Sequence, residues 1–160
     1  QNRKINKCYE AIIWGTPLKN KGKIKSFIKR DLRNKTAFKA SDIDGREAIT
    51  KYKVLGSYGP LSRVCVYPET GRTHQIRVHM KHIGHPILGD DKYSGGVKQI
   101  KSFHTQYSQS LRRTFKSINR HMLHAYSIDF IHPFRDEKVH FSANIPLDMR
   151  KIIKLWVDEV

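Results

Sequence analysis

The chain has 160 residues, 38% hydrophobic and 10% aromatic, enough for one domain that buries about 70% of the surface its unfolded form exposes. Thirty-one Lys and Arg against fourteen Asp and Glu leave a net charge of +17, far beyond the needs of solubility, and point to a polyanionic partner. Apolar runs such as Ala11-Ile12-Ile13-Trp14 stop at four residues and Cys8 and Cys65 sit in strand-like stretches as buried thiols, so a membrane span and a secreted disulfide scaffold are excluded and a cytoplasmic setting is expected.

The basic residues cluster. Residues 1–39 carry twelve Lys and Arg against Glu10 and Asp31 alone. Residues 97–124 carry Lys98, Lys101, Arg112, Arg113, Lys116 and Arg120 with no acid. Two basic segments flanking a balanced middle predict one positive face, or two walls of a groove.

In chain order, Cys8–Trp14 is the first predicted strand. It is apolar on both faces, with Tyr9, Ala11 and Ile13 on one and Cys8, Ile12 and Trp14 on the other, as an inner strand requires. An inner strand needs two neighbours, and sequence upstream of Gln1 is expected to help supply them. Ala48–Leu55 and Ser62–Tyr67 alternate and turn at Tyr58-Gly59-Pro60, which predicts an antiparallel pair. Thr73 is placed to cap a helix running to His82 or Ile83, with Ile76, Met80 and Ile83 inward, Gly84 as the left-handed stop and Pro86 beyond. Residues 95–120 have little period and are expected to be a partly helical excursion, mobile without its partner. Ala125–Ile131 and Val139–Ile145 form a second predicted hairpin, and Pro146–Asp158 a closing helix with Ile152, Ile153 and Trp156 inward. The expected fold is a single α/β (α+β) domain over residues 1–160, a mainly antiparallel mixed sheet with few helices.

Chemistry concentrates in Thr70-Gly71-Arg72-Thr73-His74-Gln75-Ile76-Arg77-Val78-His79. A strand ending in a glycine turn and a helix start gathers free backbone N–H groups, and here two arginines and a histidine stand beside them, which suits an anion. Arg77 lies one turn after Thr73 at the margin of the apolar stripe, so its stem packs on the core while its head reaches a cleft. The ordinary alternative is a solvated helix arginine. His79, His82 and His85 are spaced by three, but His85 lies past the helix stop and no Cys pair is near, so no metal site is expected; core or RNA-contacting roles fit better. A His-dependent RNA phosphodiesterase built on His74 and His79 is a further alternative. Tyr9 is either a half-buried strand tyrosine or the floor of a base-binding cleft, and Leu123 either core or cleft wall. Asp90-Asp91 after Gly89 is either a pair of catalytic carboxylates or a solvated turn, and adjacent acids after a glycine more often form the turn.

These residues resemble a known family. Gly71–His79 followed by His82-Ile83-Gly84-His85-Pro86-Ile87-Leu88-Gly89-Asp90 looks like the third signature motif of RluA-type pseudouridine synthases. Lys7-Cys8-Tyr9-Glu10-Ala11 is similar to the second, and Gly45–Thr50 and Leu123-His124-Ala125 fall in the family's order. The resemblance implies a pseudouridine-synthase-like fold and isomerisation of uridine to pseudouridine in structured RNA, ribosomal RNA by preference, without cofactor. It implies that Tyr9 and Arg77 are catalytic, the arginine paired with a nucleophilic aspartate, and that Arg72, Thr73, His74, Gln75 and Leu123 bind substrate. None of the nine aspartates stands in the family's His-Arg-Leu-Asp motif. The expectation is therefore the C-terminal portion of a catalytic domain, inactive alone. The alternative is a non-catalytic RNA-binding module of the same fold.

Overall fold

In a computed structural model describing residues 5–158, seven strands form one sheet in the order β3-β2-β4-β5-β1-β6-β7. The strands are β1 (Asn6–Trp14), β2 (Lys21–Arg30), β3 (Phe38–Ser41), β4 (Arg46–Tyr58), β5 (Leu61–Pro68), β6 (Leu123–Ile131) and β7 (Lys138–Ser142). Every pairing is antiparallel. Helices α1 (Gln75–His82), α2 (Ser108–Lys116) and α3 (Leu147–Asp158) complete it, with short 3-10 helices between residues 91 and 107. None of the helices in the described residues is long and apolar enough to cross a membrane.

β1 is an inner strand, as its two apolar faces require. Ile12 and Trp14 enter a core with Leu111, Met149, Ile152 and Trp156, while Ala11 and Ile13 enter a second core with Ile76, Met80 and Val64. The sheet is thus sandwiched, α1 on one face and α2 with α3 on the other. Burying each of Ile76 and Met80 stabilises α1 by roughly 1.5–3 kcal/mol. The neighbours of β1 are β5 and β6, both later in the same chain, so the expectation that upstream sequence supplies a neighbour is corrected.

Two strands escaped the sequence reading. β2 alternates Ile24, Ser26 and Ile28 inward with Lys21, Lys23 and Lys25 outward, and β3 pairs with its end. This divides the N-terminal basic cluster. Lys23 and Lys25 point away from α1 and are bridged by Glu69 and Glu47, at 3.7 and 3.1 Å, whereas Arg30 shares the row of Ile28 on the α1 face. The second basic segment belongs to the layer across the sheet, so the positive charge does not form a single face.

That segment also packs on the sheet. Trp14 stacks on Phe103 and Phe115 with centroids 5.2 and 5.9 Å apart, and its indole N–H donates to the Gly95 carbonyl at 2.8 Å. Ile100 and Leu111 are buried beneath it. The segment is partly helical, as expected, and its aromatic anchoring is invisible to periodicity. Cys65 is buried and Cys8 half-buried, both free thiols on neighbouring strands.

Candidate active site

β5 ends at Pro68 and the chain turns through residues 69–74 into α1. Gln75 locks this turn. Its Oε1 accepts from the Thr70 hydroxyl (2.7 Å) and the Arg72 amide (3.0 Å), and its Nε2 donates to the Ile49 carbonyl and Thr50 hydroxyl, both 2.9 Å. Gln75 is buried, so the side chain expected to hold substrate instead holds the loop to β4. The N-cap is His74 rather than Thr73, with no side-chain capping bond. His74 adopts the left-handed conformation, φ +55°, a strained state for a residue with a Cβ. The Tyr93 hydroxyl fixes it, accepting from the Phe38 amide at 3.1 Å and donating to His74 Nδ1 at 2.7 Å. Burial, then the Arg77 charge, lower the His74 pKa, which keeps the ring a neutral acceptor. Gly84 at φ +83° ends α1 as expected.

A hollow of about 190 Å³ opens beside this turn, lined by Tyr9, Arg72, His74, Gln75, Arg77 and Leu123 among others. Six of the seven expected site residues therefore converge. Thr73 does not; it lines a second hollow that also includes Arg72. Tyr9 lines the first hollow from β1, beside a bulge in β6 that leaves Tyr126 unpaired between the pairs Cys8–Ser127 and Tyr9–Ala125. Leu123, at the start of β6, forms a wall and packs on the α1-side core.

Arg77 is held by a partner the sequence reading assigned to a solvated turn. Its Nε and Nη2 donate to Asp90 Oδ2 and Oδ1, both at 2.7 Å, and its guanidinium stands 4.7 Å over the Tyr93 ring. The side chains are 16% and 1% exposed. Asp90 is buried because the loop from Ile87 to Gly95 folds back on itself. Gly95 donates to the Asp90 carbonyl at 2.7 Å, and a Cβ on Gly95 would lie 1.8 Å from the Ile87 carbonyl oxygen. The bond to Asp90 raises the Arg77 pKa further above its ordinary value, outweighing burial. This side-on pair occupies Nε and one edge of Nη2, leaving Nη1 for a further acceptor. Among the described residues, no Asp or Glu lines the hollow.

His79 lies two residues on and faces the core. Gln75 donates to Thr50, Thr50 to His79 Nδ1 (2.7 Å), and His79 Nε2 to Ser26 (3.1 Å), whose hydroxyl donates to the Phe27 carbonyl (3.2 Å); this chain assigns the tautomer. Burial lowers its pKa to about 4. Completely buried, it cannot work with His74 on RNA, and the phosphodiesterase alternative is withdrawn. The residues around the hollow that sequence reasoning did not single out are Asp90, which pairs with Arg77, and Tyr93, which holds His74.

The chain belongs to the RNA pseudouridylate synthase family, whose model matches residues 1–82. It is 38% identical over 156 residues to an RNA pseudouridine synthase of Chlorobaculum parvum, covering 96% of this chain and 47% of that protein. It is 36% identical over 155 residues to ribosomal large subunit pseudouridine synthase D of Blochmanniella floridana, again 96% and 47%. The chain spans about half the length of these relatives. Its fold matches human RNA pseudouridylate synthase domain containing 1 with a TM-score of 0.69 and 28% identity, covering 96% of this chain and 59% of that one.

Proposed function

We propose that this chain is the C-terminal portion of a catalytic domain that converts uridine to pseudouridine in RNA, and that it supplies the tyrosine and arginine side of the site. The single observation carrying this reading is the hollow itself: Tyr9 and Arg77 line it together, the arginine is pre-set by Asp90, and no carboxylate enters it among the described residues. Two relatives' names specify the large ribosomal subunit or RNA in general, which favours ribosomal RNA as substrate.

The reaction breaks the N1–C1′ bond, turns the base and forms C5–C1′; overall a proton leaves C5 and one is gained at N1. Nothing is oxidised, so no cofactor is required. The base leaves its stack to reach the hollow, at a cost of a few kcal/mol. The Tyr9 ring then floors it. The nucleophilic carboxylate comes from polypeptide other than these 160 residues, and the free Nη1 edge of Arg77 receives it, keeping it ionised where desolvation would otherwise protonate it. Asp90 does not serve as nucleophile, because its side chain is 1% exposed and does not line the hollow.

Tritium release from RNA carrying C5-labelled uridine tests this. The 160 residues alone are expected to bind the RNA and release nothing, while a longer polypeptide containing them turns over. In that polypeptide Arg77→Ala is expected to slow release by at least about 100-fold, the scale of losing one charge-stabilising group. Release by the 160 residues alone overturns the external nucleophile. The absence of carboxylates from the hollow also favours a second reading, a non-catalytic RNA-binding module, which stands if the longer polypeptide binds RNA without turnover.

A further inference from the structure

Beside the first hollow lies a second of about 460 Å³, lined by Ile28, Lys29, Arg30, Phe38, Gly45, Arg46, Gly71, Arg72 and Thr73. Gly71 and Arg72 line both. The geometry points to this second hollow as the seat of the RNA phosphodiester next to the nucleotide held at Tyr9, with Arg30 and Arg46 as its anion-binding residues. The inference rests on the RNA reading above and adds where the strand runs.

Strand parity puts these cations on the site face. On β2 the inward row is Ile24, Ser26, Ile28 and then Arg30; on β4 it is Thr50, Ala48 and then Arg46. Both rows are buried under α1 and turn cationic where the helix no longer covers them. Register sets Arg46 opposite Ile28, and Phe38 opposite Arg30. The Arg30 guanidinium stands 5.7 Å over the Phe38 ring and donates to the Lys35 carbonyl at 3.1 Å, so it is oriented without being neutralised.

The hollow's four cations are not equivalent. Lys29 is paired with Asp44, and Arg72 donates through Nε to the Glu47 carbonyl at 3.0 Å. Arg30 and Arg46 have no ion-pair partner among the described residues, and no carboxylate lines the hollow. Unneutralised planar forks in a carboxylate-free concavity fit phosphate oxygens. A Cβ on Gly71, which lines both hollows, would meet no atom within 4 Å. By contrast the lysine row of β2 on the opposite face is bridged by Glu47 and Glu69 and offers less free charge.

The test is binding of this chain to a uridine-containing RNA stem-loop across a salt series, for the unaltered protein, Arg30→Ala/Arg46→Ala, and Lys98→Ala/Lys101→Ala as an equal-charge control on the other layer. Melting curves establish that all three fold alike. We expect about a tenfold loss of affinity and a salt slope shallower by about 1.4 for the arginine pair, since each single-strand phosphate contact contributes about 0.7. The control should lose markedly less. Equal losses in both pairs, meaning that affinity follows net charge alone, overturn the subsite and leave the RNA reading intact. Absence of salt-dependent RNA binding by the unaltered protein overturns that reading, and the subsite with it.

Discussion

The pair Arg77–Asp90 beside the hollow and the pair Arg120–Asp148 at the start of α3 are built alike. Each joins Nε and Nη2 to both carboxylate oxygens, at 2.7 and 2.7 Å in the first, 2.8 and 2.9 Å in the second. Depth separates them: side chains 16% and 1% exposed against 35% and 28%. Arg120 spends its remaining Nη1 on the His121 and Leu123 carbonyls, at 3.2 and 3.1 Å, tying the approach to β6 to α3. Among the described residues, Arg77 has no protein acceptor at Nη1. Identical contact geometry therefore serves a structural staple in one place and, in the proposed function, a pre-set arginine at the hollow in the other; burial and the unspent donor make the difference.

If depth sets the energy, the largest effect belongs to Asp90→Ala. Removing one member of a buried pair leaves the other charge uncompensated and costs about 3–5 kcal/mol. For a chain of this size that lowers the melting temperature by roughly 10 °C. Denaturant and thermal unfolding check it, and a loss under 1 kcal/mol breaks the comparison.

His79 sharpens it, being a buried polar group with satisfied hydrogen bonds but no ion-pair partner. Its folded pKa of about 4 lies below the ordinary 6.5, so the unfolded chain takes up the proton first as pH falls. Stability is accordingly complete above about pH 6.5, declines through the window down to about pH 4, and loses up to about 3 kcal/mol there. His79→Gln, which retains hydrogen-bonding groups, should flatten that window in urea titrations. A slope unchanged by the substitution assigns the titration to other groups.

These residues also show how far sequence alone reaches. The parity of β1 and the alternation of β4 and β5 are local, so both faces of β1, the Gly59-Pro60 turn and the position of Tyr9 were legible. Helical spacing placed Arg77 at the stripe's margin, and the resemblance of Gly71–Asp90 to the family motif singled it out. Asp90 was not: Gly-Asp-Asp has the composition of a solvated turn, and its burial depends on Gly95 closing a loop over it, a tertiary event. β2 was hidden by its own lysines, since a row of three inward residues is a thin signal inside a charge cluster. The cap at Thr73 failed because Tyr93, nineteen residues from His74, holds His74 left-handed.

The smallest effect is expected at Arg120→Ala. Both partners are partly hydrated, so solvent takes over much of what the pair provides, and the expected loss is about 1 kcal/mol, close to that of a surface pair with ideal geometry. Burial pushes the Asp148 carboxyl up, but the Arg120 bond and the Met149 amide more than reverse this and leave it below the usual carboxylate range. The pair's contribution is therefore present above the unfolded carboxyl pKa near 3.8 and disappears as pH falls through the lower folded value. Stability of the unaltered protein and Arg120→Ala should differ at pH 7 and converge in acid below pH 3.8. A loss at pH 7 equal to that of Asp90→Ala removes depth as the explanation and makes contact geometry sufficient.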